Sequence, residues 1–120
     1  MAISLISSAV EMLDNSADPI DITVSLPTHA ADDLIVCFLG FSRNGVVTDW
    51  FDDVTGWTRE AAVTHTTGRD HNIAAFSHVA TSSSTADPTF TVSNYASNTE
   101  EISAITAVFR GVDTSTPMDA

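Results

Sequence analysis

Apolar and polar residues alternate with a period of two along much of this chain. Ile20, Ile22, Val24 and Leu26 alternate with Asp21, Thr23 and Ser25, which predicts a strand with one wet face, and Pro27 ends it. Phe90 and Val92 alternate with Thr89, Thr91 and Ser93 in the same way, entered through Asp87-Pro88. Residues 34–41 are apolar at both parities, the pattern of a central strand covered on two sides. Weaker strand patterns occupy 3–10, 57–64, 71–80 and 101–110. Asn44-Gly45, Thr55-Gly56, Thr67-Gly68 and Ser82-Ser83-Ser84 supply turn chemistry between them.

One segment reads two ways. Asn98 followed three positions later by Glu101 imitates a helix cap, and Ile102, Ile105, Phe109 and Val112 fit a helical face. The same stretch is rich in Ile, Thr and Val, which fill strands better than helices, so a strand is expected. The whole pattern predicts a single all-β domain over residues 1–120. It is expected to be an antiparallel sandwich, jelly-roll-like, with about seven strands and little or no helix. Its expected core is Ile22, Val24, Leu34, Val36, Phe38, Trp57, Phe76, Phe90, Val92 and Phe109, with Asp21, Thr23, Thr91 and Ser93 outside.

Charge changes the picture sharply. There is no lysine; Arg43, Arg59, Arg69 and Arg110 are the only cationic residues beside the histidines, against 16 carboxylates and a net charge of -12. Such a surface repels phosphate, which argues against nucleic acid and anionic membranes as partners. The composition fits adaptation to high salt, where screening relieves carboxylate repulsion, and equally a genome that avoids lysine codons. At 43% hydrophobic residues the chain has enough apolar material for a core. Cys37 is the single cysteine and sits in an apolar run, as a buried small side chain would. The first residues lack the cationic start of a signal peptide. The longest apolar run, 34–41, is too short to cross a bilayer, so the chain reads as soluble.

Candidate chemistry is sparse. Asp14, Ser16 and Asp18 begin like a calcium loop, but Pro19 and Ser25 stand where glycine and glutamate belong. Asp49, Asp52 and Asp53 surround Trp50-Phe51 and are weak candidates for a Ca²⁺ or Mg²⁺ site. His29, His65, His71 and His78 show no zinc spacing, and serine and threonine lie in no nucleophile motif. Neither catalytic residues nor a cofactor are therefore expected. Trp57 reads as a core plug, whereas Trp50 and Phe51 occupy a loop where they could contact a ligand such as a sugar ring.

Certain landmarks run the length of the chain. They are Ile3-Ser4-Leu5-Ile6-Ser7-Ser8-Ala9, Ala31-Asp32-Asp33-Leu34-Ile35-Val36, Gly56-Trp57-Thr58 and Asn72-Ile73-Ala74-Ala75-Phe76-Ser77-His78-Val79-Ala80. Pro88-Thr89-Phe90-Thr91-Val92-Ser93 follows, and Ala107-Val108-Phe109-Arg110-Gly111-Val112-Asp113 leads on to Pro117-Met118-Asp119-Ala120. In this order the chain resembles β-sandwich structural proteins of tailed bacterial and archaeal viruses. The resemblance implies a non-enzymatic virion component, assembled in the host cytoplasm and fixed to the particle surface, where it decorates the head. The partners it implies are the major capsid or tail protein and copies of the chain itself, met through free strand edges and through Trp50, Phe51, Phe109, Val112 and Met118. Relatives of this kind continue into further strands after the Pro-x-Asp-Ala segment. That leaves open a shortened member or a sandwich completed by another subunit. The alternative role is a tail or fibre domain that binds host-surface glycans through Trp50 and Phe51.

Overall fold

The computed structural model describes residues 2–15, 20–43, 51–65, 70–92 and 100–117. They form seven strands: β1 (Ser4–Asn15), β2 (Ile20–Thr23), β3 (Leu34–Arg43), β4 (Thr58–His65), β5 (Asp70–Val79), β6 (Thr89–Val92) and β7 (Glu100–Arg110). All pairings are antiparallel. One sheet has five strands in the order β1-β7-β3-β5-β4, and the other pairs β2 with β6. The expected all-β sandwich is what forms, and among the described residues there is no helix. Among the described residues, therefore, no helix is long and apolar enough to cross a membrane. The described strands divide five and two, so they do not make the paired four-stranded sheets of a jelly roll.

Period-two patterning explains the core. Ile22 and Phe90 sit opposite each other in the small sheet and turn toward Cys37, Leu39, Phe41, Ala74, Phe76, Ile102 and Ala104 of the large one. Phe76 and Phe90 meet at 4.8 Å between ring centroids, and Trp57 meets the edge of Phe90 at 5.7 Å. Burying rings of this size is the largest single apolar contribution available to a chain of this length. Trp57 itself is only half-buried, bridging this cluster to a second one of Ile35, Ala80 and Val108. Its entry to β4 is set by a turn in which the Trp57 amide donates to Val54 O at 2.9 Å, with Gly56 in the left-handed region at φ 84°.

The segment that read two ways is strand β7. Its inward residues are Ile102, Ala104, Thr106 and Val108, every second position, and all are buried. A helix would have set Ile102, Ile105 and Phe109 on one side; the structure puts Ile102 inward and the other two outward. Gly111, at φ 85°, then turns the chain out of the strand.

Three expectations need correction. Phe38 and Phe109 are not core residues: Phe38 is exposed and Phe109 half-buried, because both point away from the small sheet. Accordingly β3 is central in its sheet and covered on both faces over residues 34–37, but its outward side is bare from Phe38 onward. Phe51, expected in an exposed loop, is 1% exposed and belongs to the core. It bridges to Val92, and the next amide, Asp52 N, donates to Thr91 O at 2.8 Å, so this segment extends the β6 edge. The Phe51 ring lies edge-on to Phe41 at 5.4 Å.

Candidate functional site

The outward face of the five-stranded sheet follows from strand register. Val10 pairs with Ile105, Ile105 with Phe38, Phe38 with Ala75, and Ala75 with Ala61, a row crossing all five strands. One step along, Met12, Ser103, Gly40, Ile73 and Val63 form the next row. Neither row contains an ionisable side chain, in a protein of net charge -12. Exposure runs from 47% for Phe38 to 71% for Met12, with Ile105, Ile73, Val63 and Val10 between. Isolated exposed apolar residues are ordinary, but a contiguous field of them across five strands is not.

The field has relief. Gly40 and Ser103 are adjacent and small, so a groove of about 290 Å³ opens between the walls made by Met12 and Ile73, with Glu101 and His71 at its polar end. A methyl group built on Gly40 would meet Ser103 Oγ at 3.4 Å, an ordinary contact, and no positive φ requires glycine there. The hollow is thus permitted by the fold rather than demanded by it.

The other half of this face is closed. Leu34 and Val36 point outward by register yet are buried, and Thr116 and Pro117 border a second groove with Thr58, Ser77 and Val79. The segment after β7 is anchored where it leaves the strand. Arg110 Nε and Nη2 donate to Asp33 Oδ1 and Oδ2, both at 2.7 Å, and Asp33 is 1% exposed. That guanidinium holds the Asp33 carboxyl below the usual carboxylate range against the burial that would raise it. Ala30 N adds a bond to Asp33 Oδ2 at 2.8 Å. Farther on, the Ser115 hydroxyl and amide both donate to Asp113, which lowers its pKa and shapes the last described turn.

The second groove carries the polar groups nearest to a reactive cluster. Ser77 donates to Glu60, while His78 donates from Nδ1 to Gly56 O at 2.7 Å and stacks on Trp57. Ser77 and His78 are consecutive in a strand and face opposite sides of the sheet, so they do not make a nucleophile–base pair.

The residues singled out from sequence are dispersed. Phe109 stands on the outward face opposite Leu5 and Leu34, half-buried, and Val112 is half-buried just beyond β7. Phe51 is in the core, where it is not free to stack on a sugar. Asp53 is paired with Arg59 at 2.8 Å, and Arg59 also donates to Phe51 O. Among the described residues no group of three or more His, Cys, Asp or Glu could hold a metal ion. Asp49, Trp50 and Met118 lie outside the described residues.

Sequence reading did not single out Val10, Met12, Ile73 and Ile105, although a signal was present. Strands at 34–41, 71–80 and 101–110 carry apolar residues at both parities, yet the seven described strands provide only two layers. Part of one sheet face was bound to stay bare.

Comparison of the chain with protein-family models, with curated proteins and with solved structures finds no match. The functional reading therefore rests on the geometry of this face and on the sequence resemblance described above.

Proposed function

We propose that this chain is a non-enzymatic assembly component, a β-sandwich block whose outward sheet face docks onto protein. The observation that carries the reading is the uncharged apolar field running from Val10 to Val63 across five strands. Left in water, such a surface is costly; covered by another protein it contributes to association in proportion to its area. The edges support docking through the face rather than edge pairing. Both edge strands are interrupted by register shifts, β1 between Leu5 and Ser7 and β4 between Arg59 and Ala61, and bulges of this kind discourage a neighbouring strand.

The assembly we assign is the particle of a tailed virus, with the chain decorating the head, and this step is supported by the resemblance alone. An ordered array would multiply modest contacts per copy through avidity, and the acidic remainder of the surface would face solvent. Peptide mass spectrometry and cryo-electron microscopy of virions encoded by the same genome test the reading. The chain should be found on the particle with its outward sheet face covered. Virions lacking the chain, or carrying it with that face in open solvent, would overturn it. No observation on the described residues favours the glycan-binding alternative, since Phe51 is enclosed.

A further inference from the structure

The relief of the outward face identifies what fits it. On β3 the large residue Phe38 stands in the first row and Gly40 in the second; on β7 the order is again large then small, Ile105 then Ser103. On β5 and β4 the order reverses, with Ala75 and Ala61 in the first row and Ile73 and Val63 in the second. We infer that this face packs against the same face of a second copy, so that Phe38 of each copy enters the groove over Gly40 and Ser103 of the other. The inference rests on reading the face as an assembly surface and adds the identity of its occupant.

The symmetry that does this is simple. Two sheets stacked face to face lie about 10 Å apart. Place a two-fold axis between them, running across the strands and midway between the two rows. Each strand then lies over its own counterpart, and each residue of one row faces the residue two positions along in the other. Phe38 covers Gly40, Ile105 covers Ser103, Ile73 covers Ala75 and Val63 covers Ala61: large on small in all four. Only β1, at the rim, sets large on large, with Val10 over Met12. A two-fold interface must be self-complementary in this sense, and alternation of large and small lets facing layers interdigitate. An unrelated partner would have no reason to match relief that inverts so neatly upon itself.

Size and charge set how tight the pairing can be. The two bare rows cross five strands at ~4.8 Å spacing and cover roughly 24 by 14 Å. That is about 330 Å² per copy, or about 650 Å² in total, the size of a weak contact that forms at high protein concentration. Both copies carry a net charge of -12; none of it falls in the two rows that meet, but the exposed Glu101 borders the groove one step beyond Ser103. Carboxylates at the margin of the contact repel, so added salt strengthens the pairing rather than weakening it.

Sedimentation velocity over a concentration series, at low and molar NaCl, tests the inference. The wild-type chain should form a dimer, more tightly at high salt. Gly40→Phe fills the groove and Phe38→Ala removes the ring that enters it; each should weaken dimerisation by about tenfold or more. The double variant Phe38→Ala/Gly40→Phe exchanges ring and groove and should recover most of the loss. Ile73→Lys, at an exposed position, should also abolish the dimer and serves if a groove variant fails to fold. A wild-type chain monomeric at all concentrations, a dimer indifferent to Gly40→Phe and Ile73→Lys, or a folded double variant no better than the single ones overturns the inference. A monomer that nevertheless binds virions through this face overturns only the second copy as occupant. A dimer absent from virions overturns only the virion assignment.

Discussion

Phe38 and Ile105 stand directly opposite one another on β3 and β7, and both point into solvent, 47% and 51% exposed. Their immediate chain neighbours, Leu39 and Ala104, also pair with each other and are buried on the other side of the same sheet. Two adjacent rungs of one ladder thus separate what the fold itself requires from what is left for a partner.

That separation has a measurable consequence for stability. Phe90 is fully buried against Phe76, so Phe90→Ala should cost roughly 3–5 kcal/mol in chemical denaturation, the range for large-to-small changes in a packed core. Phe38→Ala, measured at a dilution where the chain is monomeric, should cost under about 1 kcal/mol. Equal costs would mean that Phe38 is covered within its own chain.

The Asp33–Arg110 fork predicts an acid limb. Asp33 has a folded pKa below its unfolded value, so its contribution is complete above the unfolded pKa and is lost as pH falls through the folded one. The thermal midpoint of the wild type should therefore decline on acidification below the ordinary aspartate range. Arg110→Gln removes the cation that depresses this pKa. It should lower the midpoint at neutral pH and flatten the decline between neutral and acid. A variant with the wild-type acid profile would show that the fork does not set it.

Salt gives a third expectation. With 16 carboxylates and four arginines, mutual repulsion strains the compact state in dilute buffer. The monomer's thermal midpoint should rise from dilute to molar NaCl as screening takes hold. A flat or falling midpoint would leave the missing lysines to codon usage.

How far the sequence reached is clear from particular residues. Ile22, Val24, Phe90 and Val92 were legible because each strand has a polar face, and alternation then fixes which side is buried. Strand β7 was legible despite its cap-like start, because β-branched residues fill it. Phe38 departs from expectation for a physical reason: an apolar residue on a bare stretch of sheet looks the same in sequence as one on a covered stretch. Leu34 and Val36 share its face and are buried, so only long-range cover separates them from Phe38. The burial of Phe51 likewise depends on a long-range bridge to Val92, which no local pattern encodes. The Asp33–Arg110 pair was half visible, since both residues lie in the landmark segments, but their meeting depends on the register of Leu34 with Phe109.

The most direct measurement of the central claim, that the outward sheet face is a protein-docking surface, uses a thiol placed in its groove. Cys37 is a silent background: it is fully buried and its pKa is pushed up to about 11 by that burial, so the native wild type should not react with maleimide at neutral pH. Ser103→Cys puts a near-isosteric thiol on the groove floor beside Gly40. In dilute, free protein this thiol should be alkylated readily. In the assembled state, whether concentrated protein or purified particles, its rate should fall by about tenfold or more as the face is covered. An unchanged rate on assembly would contradict the account, because the apolar field would then still be facing water.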